Sequence, residues 1–141
     1  MTFGEKVRAA RKERGLSQKE LAARTGIAVR TIINYESGSR MPKSKDSYVR
    51  LAEVLDIDLS SLMDENADFT VQASEKYGSR GRRQAQKLVK DVEALYAGGE
   101  LDERDMDAMM RALQDAYWRA KEINRKFVPK KYRDGETGGA S

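Results

Sequence analysis

The polar side chains best suited to recognising another molecule are gathered between Gly15 and Ser44, in the stretch GLSQKELAARTGIAVRTIINYESGSRMPKS. Its polar residues are amides, hydroxyls and cations rather than the usual nucleophiles and bases of an enzyme. Arg can form two hydrogen bonds with a guanine edge, Asn can do the same with an adenine edge, and Val can contact a thymine methyl group. Hydroxyl, amide and cationic side chains suit phosphate oxygens. These residue types therefore favour contact with nucleic acid over catalysis.

Catalytic and metal chemistry lack their usual residues. The 141 residues include no Cys and no His, which removes disulfides, thiolate metal sites and the commonest general base. We therefore expect no catalytic residue, no metal site and no cofactor. The first residues, MTFGEKVRAARKERG, lack the apolar core of a signal peptide, and no apolar run is long enough to span a bilayer. We expect a cytoplasmic protein with no membrane partner.

Charge is unevenly distributed along the chain. Residues 1–45 hold eleven Lys or Arg against four acidic residues, a balance of +7, whereas residues 46–75 hold one Arg against eight acidic residues, a balance of −7. A basic segment beside an acidic one favours a surface with one face that binds polyanions and an opposite face that repels them. On charge alone, an ordinary solvated helix surface remains an equal alternative.

The elements that would position this stretch are helices. Thr2 and Ser17 each precede a Glu at the spacing of a capping box, and apolar residues follow at helical spacing until Gly15 and Gly26. Further helical patterns run from Ala28 to about Ser37 and onward from Ser44, and DLSSLM follows as a short turn of helix. The pattern predicts an all-α fold, with a five-helix domain over residues 1–66.

The remaining chain predicts a second helical part. We expect a connector over residues 67–79 with a short helix around Val71 to Tyr77, then an antiparallel helical hairpin over residues 80–128 and a flexible tail over residues 129–141. Such a hairpin cannot bury both apolar faces alone. It must pack either on a second copy, which we favour, or on its own chain's first domain.

The first domain resembles the helix-turn-helix of the Cro and phage-repressor type, the XRE family. The resemblance rests on a dozen positions between Thr2 and Met63, including Gly15-Leu16-Ser17-Gln18, Glu20-Leu21-Ala22, Gly26-Ile27, Thr31-Ile32, Tyr35-Glu36-Ser37-Gly38 and Leu51-Ala52. The C-terminal part, with YGSRGRRQAQ and VPKKYR, resembles the tails of small regulators carried on bacterial mobile elements. The resemblance implies a five-helix fold that binds double-stranded DNA.

The resemblance also assigns roles to individual residues. The positions that would face bases are Val29, Arg30, Ile33 and Asn34. Those that would contact phosphate are Gln18, Thr31, Ser37, Ser39, Arg40 and Lys43. Arg11 and Glu36 match a scaffold pair that links the first helix to the end of the third. For each residue the competing interpretation is plain exposed surface.

Two positions depart from the family pattern. Ala28 stands where Ser or Thr is usual, so the reading helix loses its side-chain cap, a loss of about 1 kcal/mol in typical cases. Ile33 is apolar at a position that the register leaves exposed, where it could touch a thymine methyl or a neighbouring element. Because of these two departures, the family pattern is a weaker guide to the operator sequence.

The functional hypothesis is a sequence-specific DNA-binding transcriptional regulator, a repressor, that binds its operator in the major groove as a homodimer. The alternative is an antitoxin-like module whose C-terminal hairpin binds a protein partner. A second basic cluster has no acidic residue between its ends and could extend the phosphate contacts, although a solvated helix face is the simpler interpretation. It consists of Lys76, Arg80, Arg82, Arg83, Lys87 and Lys90.

Overall fold

The fold is described from a computed structural model, which covers the backbone of residues 1–127 and the side chains of residues 1–124. Seven helices and no strand occur in this range, so the predicted all-α class is confirmed. The helices are α1 (Phe3–Glu13), α2 (Gln18–Thr25), α3 (Val29–Ser37), α4 (Lys45–Leu55), α5 (Leu59–Leu62), α6 (Glu65–Ala97) and α7 (Glu103–Phe127).

Both predicted capping boxes are present. The Thr2 hydroxyl accepts a hydrogen bond from the backbone N–H of Glu5 at 3.2 Å, and the Glu5 carboxylate accepts one from the Thr2 N–H at 2.8 Å. Ser17 and Glu20 repeat the arrangement at the start of α2, with both distances 3.0 Å. Helices α1 and α2 therefore begin where the sequence predicts, because each box satisfies two otherwise unpaired donors.

Helices α1 to α5 surround one apolar core. Val7, Leu21, Ile32 and Leu51 are fully buried in it. The Phe3 ring lies edge-on to the rings of Tyr35 and Tyr48, with centroid separations of 5.6 and 5.3 Å. Aromatic pairs of this geometry are favourable beyond the area they bury, so α1 anchors both α3 and α4.

The chain divides into two compact units, Met1–Glu75 and the part from Lys76 onward. In the segment expected as a connector, residues 67–79, α6 is continuous apart from a non-helical backbone at Gly78, so the helix is longer than the short one expected around Val71 to Tyr77. Phe69, Val71 and Ala73 are buried, and Val71 belongs to the core of the first unit. Burial of these apolar side chains explains why the segment is helical rather than an irregular linker.

In the second unit, the part of α6 after Gly78 and α7 form a hairpin joined at Gly98 and Gly99. The Tyr117 hydroxyl donates to the Gly81 carbonyl oxygen at 3.4 Å and to Gln84 Oε1 at 3.2 Å, and its ring lies edge-on to that of Tyr77. Because residues late in α7 meet residues early in this part of α6, the two helices run antiparallel. The tail predicted for residues 129–141 lies outside the described residues.

Candidate nucleic-acid interface

Helix α3 is held to the first unit by its inner face. Ile32 is fully buried and Tyr35 is 5% exposed. Burial raises the pKa of Tyr35 above its usual value, against a smaller opposing effect of a hydrogen bond with Ser47. The apolar side of α3 is therefore fixed, and its opposite side is left for other contacts.

An ion pair fixes the C-terminal end of α3. Arg11 Nε and Nη2 donate to the two carboxylate oxygens of Glu36 at 2.7 and 2.9 Å, and Arg11 Nη1 donates to the Leu16 carbonyl oxygen at 2.8 Å. The two side chains are 11% and 4% exposed. The hydrogen bonds to Glu36 raise the pKa of Arg11. A bidentate, buried pair of this kind fixes orientation as well as position, so the expected scaffold pair links α1 to α3.

Gly4 allows α1 to approach α3 closely. A Cβ atom at Gly4 would overlap the Tyr35 carbonyl oxygen and would lie 2.8 Å from the carbonyl oxygen of Glu36. Sequence reasoning missed this residue. The available signal was a glycine inside the first turn of a capped helix, a costly choice that usually has a packing reason.

The four residues expected to face bases lie together on the outer part of α3. Val29 is 42% exposed and Arg30 is exposed, whereas Asn34 is half-buried. Ile33 is also half-buried, less accessible than the sequence register suggested. Within residues 1–124, neither Arg30 nor Asn34 has a side-chain hydrogen bond or ion pair. Their donors and acceptors are available to a ligand.

The residues expected to contact phosphate differ in their exposure and in whether their side chains already have hydrogen-bond partners in the protein. Arg40 and Lys43 are exposed and Thr31 is half-buried. The hydroxyls of Ser37 and Ser39 donate to the Asn34 carbonyl oxygen at 3.1 and 3.3 Å, so they help to close the C-terminal end of α3. These two hydroxyls already have an internal structural role.

Gln18 lies at the start of α2, half-buried beside the ion pair. Its Nε2 donates to Glu36 Oε1 at 3.2 Å. The amide therefore connects the first residue of α2 to the last turn of α3. Sequence reasoning expected Gln18 to support the reading residues but did not identify Glu36 as its partner.

The turn before α3 has the expected geometry. Gly26 ends α2 in the left-handed conformation at φ +75°, and Ala28 precedes α3 without a side-chain cap. The Thr25 hydroxyl instead accepts from the Ile27 N–H at 3.2 Å, and Arg50 Nη1 donates to the Thr25 carbonyl oxygen at 3.3 Å. Side chains on α2 and α4 thus brace the turn.

A helix-turn-helix consists of two helices joined by a tight turn, in which the second helix has one face buried against the domain and the opposite face exposed. Helices α2 and α3 have this arrangement. The comparison with known proteins agrees: residues 7–62 match the family described as Helix-turn-helix. This segment is a helix-turn-helix domain, and the chain is a DNA-binding transcription regulator.

The chain is also similar to the immunity repressor protein of Bacillus phage phi105. The two are 24% identical over 143 residues, which cover 96% of this chain and 99% of that protein. The similarity therefore extends beyond the helix-turn-helix into the second unit. No solved structure matches the chain.

Two other features of the described residues bear on partners. Across residues 1–127, none of the helices combines the length and apolar character that crossing a bilayer requires. In the same part of the chain, no group of three or more acidic residues is arranged to hold a metal ion.

Proposed function

We propose that this protein is a repressor that binds a roughly palindromic operator as a homodimer, with α3 of each copy in the major groove. The single observation that supports this most strongly is the outer part of α3, where Arg30 and Asn34 lie on a helix whose other side is fixed by burial. A major groove admits one α-helix. In such dimers the two reading helices lie about 34 Å apart, one helical turn of DNA.

The proposed roles divide the residues into those that set the preference for a DNA sequence and those that set the general affinity for DNA. Val29, Arg30, Ile33 and Asn34 would read base edges. Arg40 and Lys43 would contact phosphate, with Gln18, Thr31, Ser37 and Ser39 at the edge of the same surface. Phosphate contacts give register and salt dependence, whereas base contacts give preference. The named relative is an immunity repressor, which supports repression as the outcome of binding.

The proposal involves no catalysis, and its place of action is the cytoplasm, where a bacterial or phage operator would be found. The basic cluster from Lys76 to Lys90 has no assigned role in it. One member, Lys87, donates to Asp91 on the next turn of α6 at 2.9 Å.

The test is a selection of bound sequences from a random DNA pool, followed by affinity measurements at several salt concentrations. We expect Arg30→Ala to relax preference at one base step per half-site, a loss of about 1 to 3 kcal/mol of discrimination. We expect Lys43→Ala to weaken all sequences alike and to lower the salt slope by about 1.

The two variants are controls for each other, because each removes one exposed cation. Equal effects of Arg30→Ala on all sequences would contradict its role as a reader. An affinity for the selected DNA that hardly changed between low and moderate salt would contradict the phosphate contacts.

A further inference from the structure

Helix α7 carries an apolar stripe that the side chains of residues 1–124 leave exposed. Leu113 is 39% exposed and Ile123 is 53% exposed. Ala116 and Ala120 are also exposed, and Met109 is half-buried. These five residues recur at alternating intervals of four and three, the spacing of a coiled-coil seam. From Met109 to Ile123 the stripe is about 21 Å long.

This stripe is distinct from the face of α7 that packs on α6. The α6-facing side carries Tyr117, which bonds to Gly81 and Gln84, and Lys121, whose ammonium lies 5.2 Å from the centroid of the Tyr77 ring. Met110, one heptad before Tyr117, is 5% exposed. The uncovered stripe lies beside this face, and it contains no charged residue.

The charges along α7 indicate how the stripe would be covered. Near the N-terminus of α7 are Glu103, Asp105 and Asp107, and only Arg104 is basic. Beyond the middle of the helix come Arg119 and Lys121, with one acidic residue, Glu122. A second α7 placed antiparallel would bring an acidic end against a basic end on both sides of a two-fold axis. A parallel copy would place like charges together.

We propose that the stripe Met109, Leu113, Ala116, Ala120 and Ile123 is the homodimer interface, on which α7 of a second copy packs antiparallel with Ala116, the middle residue of the stripe, beside Ala116 of the other copy. This proposal deepens the proposed function, because it names the surface that makes the regulator a dimer. Two small residues in the middle, Ala116 and Ala120, let the helices approach closely. Together with α6 of each copy, the two α7 helices would form a four-helix bundle.

The first experiment measures the mass of the full chain in solution over a range of concentrations by analytical ultracentrifugation. We expect a dimer for the wild type and a dimer dissociation constant raised by on the order of 100-fold for Ala116→Glu, because burial of an unpaired carboxylate opposes association. Ala108→Glu is the matched control: Ala108 is an exposed alanine on the same helix but outside the stripe. We expect it to leave the dimer intact.

The second experiment tests orientation through single cysteines, which the chain otherwise lacks. Ala116 is the middle residue of the stripe, so an antiparallel pair places Ala116 beside its own copy and Ala120 away from its own copy. We expect Ala116→Cys to cross-link under mild oxidation and Ala120→Cys not to. Cross-linking at both positions would indicate a parallel pair, and this result, or cross-linking at neither position, overturns the proposal.

Failure of this inference is distinguishable from failure of the proposed function. A wild type that is monomeric, or an Ala116→Glu variant that dimerises as tightly as Ala108→Glu, overturns the interface. A chain that is monomeric alone and binds a different protein through α7 also overturns the interface. In each case, sequence selection from the DNA pool shows separately whether the chain recognises an operator.

Discussion

The two units of this protein differ in what they leave exposed. The first buries Val7, Leu21, Ile32 and Leu51 completely, and the exposed side of α3 carries Arg30 beside Val29. Between residues 76 and 124 the second unit buries little beyond Ala85, Val92 and Met110, and it exposes a series of large apolar side chains. These are Leu95, Tyr96, Leu113 and Ile123. The first unit closes its own core, whereas the second has an apolar surface that remains to be covered.

This difference leads to predictions with a common control. Substitutions in the first unit should change the free energy of unfolding without changing self-association. Each variant below should therefore be compared with the wild type by denaturant unfolding and, in parallel, by solution mass. A variant in the first unit that dissociated the proposed dimer would contradict the comparison.

The largest effect is expected from the buried ion pair. Arg11→Met removes the cationic partner of Glu36, whose side chain is 4% exposed, and leaves it only the neutral amide of Gln18. A buried carboxylate without a counter-ion costs about 3 to 5 kcal/mol of unfolding free energy. Denaturant unfolding measures this loss.

A matched control, Arg14, lies at the C-terminal cap of the same helix. Arg14 Nη2 contacts Asp56 Oδ2 at 2.7 Å, but these side chains are 43% and 82% exposed. Arg14→Met should cost less than about 1 kcal/mol, because an exposed pair is solvated whether or not it forms. Equal losses for the two variants would show that burial of the Arg11 pair contributes nothing.

Gly4→Ala tests the close approach of α1 to α3. The added methyl group would meet the carbonyl oxygens of Tyr35 and Glu36, so we expect a loss of about 1 to 3 kcal/mol from overpacking. In an open helix the same change stabilises by roughly 1 kcal/mol. The sign of the change in unfolding free energy therefore shows whether α1 and α3 are in close contact at Gly4. A gain in stability would refute that contact.

Ala28→Ser restores a side-chain cap to α3. Its backbone is extended, and no side chain caps the helix there. We expect a gain of about 0.5 to 1 kcal/mol in unfolding free energy. Ala28→Val serves as the control, since it enlarges the side chain without supplying an acceptor, and it should not stabilise.

The smallest effect concerns pH. Hydrogen bonds from Thr2 and Ser17, chiefly from their backbone N–H groups, lower the pKa of Glu5 and of Glu20 below the usual 4.5. A carboxylate with a lowered pKa in the folded state stabilises above its unfolded pKa, and this stabilisation is lost as the pH falls through the folded value. The loss should therefore begin near pH 4.5 and continue below it.

The double variant Glu5→Gln and Glu20→Gln keeps the side-chain acceptors but does not titrate. Unfolding free energy measured between pH 6 and pH 3 should fall less steeply for this variant than for the wild type. Parallel curves would show that the two capping boxes contribute no pH dependence.

Much of the first unit could be predicted from sequence because its signals are local. The boxes at Thr2 and Ser17, and the left-handed turn at Gly26, are each determined by residues within one helical turn. The full length of α6 after Asp64 was not predicted, because the apolar residues there follow no strong stripe. This segment is helical because Phe69, Val71 and Ala73 are buried by tertiary packing, which a local pattern does not show.

The candidate interface was predictable only in part, because some of its contacts depend on tertiary packing rather than on local signals. A family resemblance places Arg30 and Asn34 on α3, but it does not reveal that Gln18 bonds to Glu36 or that Gly4 lies against two carbonyl oxygens. Those contacts join residues from different helices, and only the assembled fold brings them together. The roles of the individual side chains toward DNA remain predictions.

The attachment of α3 through Ile32, Tyr35 and the pair of Arg11 with Glu36 has an evolutionary consequence. None of these contacts uses the four outward positions, so substitutions at Val29, Arg30, Ile33 or Asn34 leave the anchoring of the helix intact. Under the proposed reading roles, a lineage of such regulators can therefore acquire new target sites by substitution at four codons while the scaffold stays the same.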